Sequence, residues 1–430
     1  MFRLITFLIL GAATLTPLER LRAGTDAAER TVIIEPTGDL TLRQALALAL
    51  TRSPELTMFA YDIRVAEARL LQASLRPNPE LSINSENVGG SGASAAENTL
   101  ALGQLFELAG KRRKRMTEAR LGRELAEFDY EVKKREVFLE THQRFIDVLA
   151  GQRLVAVNEE IVGLTESVLP DIQRRIEAGA VSKAEETRSN VAVATARIGL
   201  EQARRDLLVA RHQLVAQWGS TKPRFGSAVG NLEDAPPIAS LDSLTARLTD
   251  NPRVARFGTE LAHRQATLAR ERAQAVPDVT INGGVRQFAE SDTGAFVLGA
   301  SVPLPLFNRN QGNIRAAQEQ IGKTEAHREA ERAKIAAELA EAYHAVQAAR
   351  TQIDLFRNTV LPQSDEALKT ISEGYKAGRF SYLEFLDAQR SVITARQQYA
   401  QALVTHQHAV AQVESLTSGP FHRGHAAPNR

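Results

Sequence analysis

Two halves of this 430-residue chain match at a nearly constant offset, so any fold it adopts has to be built twice. Ser53-Pro54-Glu55-Leu56 pairs with Asn251-Pro252-Arg253-Val254, 198 residues on at the proline. Pro79-Glu80-Leu81-Ser82-Ile83-Asn84 pairs with Pro277-Asp278-Val279-Thr280-Ile281-Asn282 at the same spacing. Ala178-Gly179, Ser182 and Thr195-Ala196-Arg197 recur 199 residues later as Ala377-Gly378, Ser381 and Thr394-Ala395-Arg396. One duplicated unit accounts for all of these anchors. Its copies are expected over 26–218 and 241–417, with a linker at 219–240.

Each copy spells the same order of elements. A helix opens it, over 42–76 with Thr41 as N-cap and near 241–275 in the second copy. Period-two alternation with turn residues between then predicts β-hairpins over 79–108 and 277–306. A long helical stretch follows, from Arg112 to about Ala178 and from Arg309 to about Ala377. At 1.5 Å per residue each would span roughly 100 Å, too long for one globular core, so partner helices must run beside it. Leu121, Leu125, Phe128 and Val132 recur at helical spacing, and Ala336, Ala337, Ala340 and Ala345 suggest close packing. Leu169-Pro170 and Leu361-Pro362 predict a kink in each long stretch. Gly179 and Gly378 end them, and return helices follow at about 183–218 and 382–416.

The hairpins constrain function most. Leu81/Ile83, Leu100/Leu102, Val279/Ile281 and Phe296/Leu298 can face lipid while Ser82, Asn84, Thr280 and Asn282 face water. Strands of about nine to eleven residues cross a bilayer when tilted. Open sheet edges are not tolerated in lipid, and four strands are too few to close a barrel. Closure therefore takes several copies, and three would supply twelve strands. The N-terminus fits export: Arg3 precedes the short apolar run Leu4 to Ala13, and residues 1–25 read as a signal peptide. Residues 418–430 read as a disordered tail.

Composition removes other classes. The chain has no Cys, which excludes disulfides, thiolate metal sites and a Cys nucleophile. Its formal net charge of +2 argues against a nucleic-acid partner. Nothing resembles a catalytic triad or a phosphate-binding loop, so no enzyme, cofactor or resident metal site is expected. His406 and His408 stand two apart on a predicted helix and do not face one another. The basic run Lys111 to Arg115 is read as the periplasmic rim of the barrel, near lipid headgroups.

Three stretches resemble the TolC-type outer-membrane efflux family over roughly residues 40–417. Ser85-Glu86-Asn87-Val88-Gly89-Gly90-Ser91-Gly92 and Gln104-Leu105-Phe106-Glu107-Leu108-Ala109-Gly110-Lys111-Arg112 look like its cobalt–zinc–cadmium resistance branch. Ala377-Gly378-Arg379-Phe380-Ser381-Tyr382-Leu383-Glu384-Phe385-Leu386-Asp387-Ala388-Gln389-Arg390 is similar to the family hallmark at the second periplasmic turn. The resemblance implies a mixed α and β, mostly helical fold: a homotrimer with a twelve-stranded barrel in the outer membrane and a long periplasmic α-helical barrel. It further implies a periplasmic adaptor and an inner-membrane RND pump as partners, with heavy-metal cations as the exported client.

The resemblance also implies a gate at the periplasmic tip. Glu384 and Asp387 match the family's acidic lining, and Tyr375 and Glu185 match links that hold the tip shut. An Arg link expected at Phe380 is missing, and Arg379 stands beside it. The turns, Gly179, Val181 and Ser182 in one copy and Gly378, Arg379, Phe380 and Ser381 in the other, are expected to dock the adaptor. Three readings stay open beside metal export: an exit duct for organic drugs, one for secreted polypeptides, and a periplasmic adaptor or scaffold.

Overall fold

A computed structural model describes residues 35, 37–87, 96–179, 181–234, 237–289 and 291–417, all in one unit that begins at Glu35. The expected signal peptide at 1–25 and tail at 418–430 lie outside the described residues.

The first copy runs β1 (Leu40–Thr41), α1 (Leu42–Arg52), α2 (Pro54–Ser74), β2 (Glu80–Glu86), β3 (Glu97–Phe106), α3 (Lys111–Ser167), α4 (Leu169–Glu177) and α5 (Lys183–Ala216). After β4 (Ala228–Val229), the second runs α6 (Leu241–Ala246), α7 (Pro252–Gln274), β5 (Val279–Phe288), β6 (Thr293–Ser301), α8 (Gln311–Leu355), α9 (Leu361–Lys376) and α10 (Tyr382–Thr417).

Local chemistry sets the boundaries. Thr41 caps α1 in a reciprocal box with Gln44, whose Oε1 accepts from the Thr41 amide at 2.9 Å. The single helix expected over 42–76 is in fact two, because Pro54 has no N–H to continue α1 and instead opens α2. Ser53 caps that start, accepting from the Leu56 amide at 3.4 Å. The repeat does the same at Asn251-Pro252: Asn251 accepts from the Arg253 amide at 2.9 Å and donates to the Leu416 carbonyl at 2.9 Å.

Both Leu-Pro sites interrupt their long helices. α3 stops one residue before Leu169-Pro170, and a single π turn (Phe356–Val360) precedes Leu361-Pro362. Gly179 (φ 70) and Gly378 (φ 76) take the left-handed conformation that closes each helix end. At the second turn the Arg379 amide donates to the Gly374 carbonyl at 2.8 Å and the Gly378 amide to the Tyr375 carbonyl at 3.0 Å, a Schellman pair.

The four strands form one antiparallel sheet in the order β2-β3-β5-β6, so the two hairpins join through β3 and β5. β2 has seven residues, shorter than the nine to eleven expected, because Asn87 turns left-handed (φ 59) after Glu86. Registers such as Leu81 opposite Leu102, Leu102 opposite Gly283 and Gly283 opposite Leu298 put the expected apolar side chains on one face. They are bare in the protomer, Phe296 at 94% and Leu298 at 84% exposure. The opposite face carries Ser82, Asn84, Thr280 and Asn282, with Arg286 bonded to Glu97 at 2.8 Å and Thr99 at 3.0 Å.

The helices lie side by side. Near the sheet the sequence of neighbours is α2, α3, α7, α8; toward the turns it is α5, α3, α10, then α8 and α9. A core of Leu244, Ile335, Leu339, Val346, Val410 and Val413 holds α6, α8 and α10 together. On α8 Ala317, Ala342 and Ala349 are buried and Ala345 packs half-buried against the core, whereas Ala336 and Ala337 are exposed, since richness in Ala does not fix helical phase. Segment 219–240 is more than a linker. β4 pairs in parallel with β1, Phe225 and Ala228 are buried, and Glu35 accepts from the Arg224 amide at 2.6 Å.

The basic run lies where the long helix leaves the sheet. Lys111 forms an ion pair with Asp278 at 2.7 Å, Arg112 donates to the Ser74 carbonyl at 2.5 Å, and Arg115 pairs with Glu107. Lys111 and Arg115 thereby fasten α3 to residues flanking the strands, and Arg112 fastens it to the end of α2.

Candidate periplasmic gate

The two helical hairpins meet just above their turns around an aromatic cluster. Tyr375 at the end of α9 is 2% exposed. Its ring centroid lies 5.7 Å from Phe385 and 5.8 Å from Tyr382, both in the first turn of α10. Val168 and Ile172 complete the cluster from the first copy. Gly374 lets it close: a Cβ there would stand 2.2 Å from the Phe380 ring, so the ring lies directly on the helix backbone.

Arg175 of α4 is the link that sequence reasoning missed. Its guanidinium sits 4.5 Å from the Tyr375 ring centroid and donates to the Tyr375 carbonyl and, at 2.7 Å, to the Lys376 carbonyl. It thus adds a donor to carbonyls at the end of α9, of which the Tyr375 carbonyl also takes the Gly378 amide, and places a positive charge at that helix's negative pole. An arginine thus reaches the second turn from the other hairpin. The repeat could have flagged it, since Arg175 stands 199 residues before Gly374 and the two copies differ there.

Glu185 and Tyr375 are brought to the same cluster without a hydrogen bond between them. Glu185 Oε2 and the Tyr375 hydroxyl are both buried and make no hydrogen bond. Burial pushes the Tyr375 phenol up, with Arg175 opposing and the Glu185 carboxylate adding to the rise. Tyr382 is raised by burial as well, with Glu185 contributing.

The two copies share the capping spelling Ser-x-x-Glu at their return helices, Ser182 to Glu185 and Ser381 to Glu384. Only the second box forms: Glu384 Oε2 accepts from the Ser381 amide at 2.7 Å and its hydroxyl at 2.8 Å. Those bonds hold the Glu384 carboxyl below its ordinary value. Ser182 makes no side-chain cap bond, and Glu185 gives up the box to enter the aromatic cluster. Asp387, one turn beyond Glu384, is exposed like it. At the turns, Val181 is half-buried, and Gly179, Ser182, Gly378, Arg379 and Ser381 are exposed.

A second tier of links lies above. Arg197 bonds Glu166 at 2.6 Å, and its repeat counterpart Arg396 bonds Asp365 at 3.0 Å, each 199 residues apart. Arg396 also pairs with Glu160 of α3, so it ties the hairpins to one another where Arg197 ties only one. Gln389 donates to Thr165 at 3.0 Å inside the same contact. Beside it a groove of about 590 Å³ runs between α5 and α10 over α3, floored by Asn158, Thr165 and Gln389 and rimmed by Arg188 and Arg390.

His408 approaches Asp147 at 3.1 Å and the Gln143 carbonyl at 3.2 Å, tying α10 to α3. Among the described residues no three or more His, Asp or Glu side chains are arranged to hold a metal ion. No described helix is long and apolar enough to cross a membrane.

A sheet bare on one face, joined to a curtain of long helices, is the protomer of an outer-membrane channel. The chain belongs to the outer membrane efflux protein family, whose model matches residues 45–220 and 245–419, once in each half. It is 33% identical over 365 residues to the cobalt-zinc-cadmium resistance protein CzcC of Cupriavidus metallidurans, covering 85% of this chain and 87% of that protein. It is 26% identical to the nickel-cobalt-cadmium resistance protein NccC of Alcaligenes xylosoxydans xylosoxydans, over 68% of this chain and 66% of that one.

Solved structures share the fold. The outer-membrane channel OprN superposes with a TM-score of 0.74 at 18% identity over 90% of this chain and 91% of its own. CusC superposes at 0.72 and 19% over 88% and 92%. The protein is thus an outer-membrane efflux channel with a periplasmic helical extension, the exit duct of a tripartite pump. That excludes the adaptor or scaffold reading.

Proposed function

We propose that three copies of this chain form the duct through which divalent heavy-metal cations leave the periplasm, without a catalytic step. The observation that carries this reading is the 33% identity to CzcC over 85% of the chain. The tip supports it. Threefold repetition of exposed Glu384 and Asp387 makes rings of negative charge, which favour cations and repel anions. The Ser381 bonds keep Glu384 ionised well below neutral pH. Tyr375, Glu185 and Arg175 then act as the latch between hairpins, and the turns receive a periplasmic adaptor that couples the duct to an inner-membrane RND pump. An organic client is the second reading, favoured by 26% identity over 427 residues to the pyoverdine export outer membrane protein OpmQ of Pseudomonas putida.

Growth of a deletion strain on graded zinc, cobalt, cadmium, nickel, copper and organic antibiotics tests the proposal. Sensitivity to one or two cations, rescued by the gene and lost again with Glu384→Lys/Asp387→Lys, is the expected result. Sensitivity to organic compounds alone would transfer the duct to the second reading. No sensitivity at all would favour a polypeptide client.

A further inference from the structure

Beside the sheet, α2 and α3 leave a groove of about 530 Å³ between them. Glu67, Leu70 and Leu71 of α2 face Arg113, Met116 and Arg120 of α3 across it. β3 ends at Phe106, α3 begins at Lys111, and Arg113 stands in its first turn, so the groove starts where the sheet stops.

The chemistry of the groove is mixed. Arg113, Thr117 and Arg120 follow the spacing i, i+4, i+7 and so share one face of α3. The floor beside them is apolar, and Leu71 is 64% exposed. The Arg113 guanidinium has no ion-pair or hydrogen-bond partner among the described residues, and Arg120 has only Glu124 at 4.0 Å. Glu67, at the end away from the sheet, is exposed and also unpaired among the described residues. Lys111, Arg112 and Arg115 are spent on fastening α3, whereas Arg113 fastens nothing.

The groove lies on the outside of the duct. α3 meets α7 through Glu118 and Asp129, bonded to Arg270 at 3.0 Å and to Arg256 at 2.6 Å. It meets α1 and α2 through Arg112, Tyr130 and Lys133, the last bonded to Glu55 at 2.6 Å. At 3.6 residues per turn these two sets stand about 90° apart around α3, far short of the 180° of a flat layer. The helical layer therefore bends at α3, and Arg113, Thr117 and Arg120 lie on the outside of the bend. A closed duct bends around its lumen, so this side continues the bare, lipid-facing side of the sheet. Leu75, Phe106 and Leu108, all exposed, connect the two.

The duplication isolates the feature. Gly110 and Asn310, both left-handed, precede α3 and α8 as equivalent caps. Counted from them, Arg113, Met116 and Arg120 correspond to Asn313, Ala316 and Gln320, and Leu71 corresponds to Ala269. The second copy keeps the pair of helices and drops both cations and the apolar bulk. Packing of the pair therefore does not require them.

We propose that this groove binds a phospholipid of the surrounding membrane, with the phosphate between Arg113 and Arg120, the glycerol and upper acyl chain on Leu70, Leu71 and Met116, and an amine headgroup at Glu67. The site goes beyond the export reading above and is the same whichever client the duct carries. Guanidinium groups free of carboxylates beside a membrane attract phosphate, with which their hydrogen bonds are charge-assisted. The free acid at the far end favours a headgroup with a cation after its phosphate. Continuity with the lipid face selects a lipid over free phosphate, which would leave the apolar floor bare.

Native mass spectrometry of the detergent-solubilised trimer, delipidated and then titrated with dioleoyl phosphatidylethanolamine, tests the site. One lipid per chain should be retained. Arg113→Gln/Arg120→Gln should lower retention about tenfold, and each single variant by an intermediate factor. Arg315→Gln, which removes an exposed arginine near the start of α8, should leave retention unchanged. Dioleoylglycerol, which lacks the phosphate, should not be retained, and excess inorganic phosphate should not displace the lipid. Glu67→Gln should narrow the preference for phosphatidylethanolamine over phosphatidylglycerol.

Equal retention by the double variant and the unchanged protein would overturn the site. Retention of dioleoylglycerol at the same level, or displacement by phosphate alone, would overturn it too. A headgroup preference that Glu67→Gln leaves unmoved would overturn the place given to the amine. The trimer band before heating reports assembly separately from lipid loss, and the single variants decide if the double variant does not assemble. Failure of the site would leave the channel reading untouched.

Discussion

At the scale of single residues, the tip turns on Arg175. One guanidinium covers a tyrosine face and binds two carbonyls at a helix end, contributions of about 2 kcal/mol together. Arg175→Ala should therefore shift the tip toward its open state by about thirtyfold, read as higher single-channel conductance in planar bilayers; Arg175→Lys, which keeps the charge but not the planar fork, should recover only part of the closure. A second residue gives the molecule a pH dependence. Burial and the neighbouring charge of His408 lower the His142 imidazole from 6.5 to about 4. The folded form resists a proton that the unfolded chain accepts. Its contribution is thus complete above pH 6.5 and is lost as pH falls toward 4, by about 3 kcal/mol per chain. Melting of the detergent-solubilised trimer between pH 7.5 and 4.5 should show this loss, and His142→Phe should flatten it.

At the scale of elements, the duplication sets up its own controls. Arg197 and Arg396 occupy equivalent positions, and each bonds the equivalent acid on its long helix. Only Arg396 reaches across to Glu160 on the other hairpin. These are exposed pairs, so the energies are modest. Arg396→Ala should cost about 1 kcal/mol and raise leak through the tip, while Arg197→Ala should stay within about 0.5 kcal/mol and leave conductance unchanged. Equal effects on conductance would count against a role for Arg396 between the hairpins. The same logic explains the two serines. Ser381 and Ser182 carry identical capping instructions, yet only Ser381 executes them, because Glu185 is drawn into the aromatic cluster.

At the scale of the whole molecule, the sheet's bare face decides where the chain can live. Phe296 and Leu298 project from it with no protein cover, while Ser82 and Asn84 project from the other side. A charge on the lipid side should cost about 2–4 kcal/mol near mid-bilayer, and one on the lumen side little. Phe296→Lys should accordingly deplete the heat-modifiable trimer in outer-membrane fractions, whereas Ser82→Lys should leave it at the level of the unchanged protein. The helices show the same division of labour: Met58, Tyr61 and Val65 on α2 and Val191 and Ile198 on α5 stay exposed in the protomer, at the flanks where neighbouring copies would lie.

Short-range signals were legible in the sequence because their physics is local. Thr41, Gly179, Gly378 and the two Leu-Pro steps act through their own backbone bonds and dihedrals, and the structure has a cap, a turn or a break at each. The alternation of Leu81, Ser82, Ile83 and Asn84 names the two faces of the sheet for the same reason: the strand period is two whatever the strand packs against. The repeat likewise placed both helical turns and both hairpins. What it could not state is how the copies touch, since equivalent positions differ in residue or in partner where the halves meet: Arg175 against Gly374, Glu185 with no cap bond against Glu384 bonded to Ser381, and Arg396 with a partner on the other hairpin that Arg197 lacks. Pairing of β3 with β5, the docking of segment 219–240 under β1, and the closure of Phe380 onto Gly374 are long-range contacts between stretches that carry no mark of one another. The sequence alone therefore determined the long helices, the hairpins, their order and the need for several copies, because propensity, period and strand count suffice for those. Only the tertiary structure decided which arginine joins the two hairpins and which strands are left at the sheet's edges, because those depend on distances across the fold.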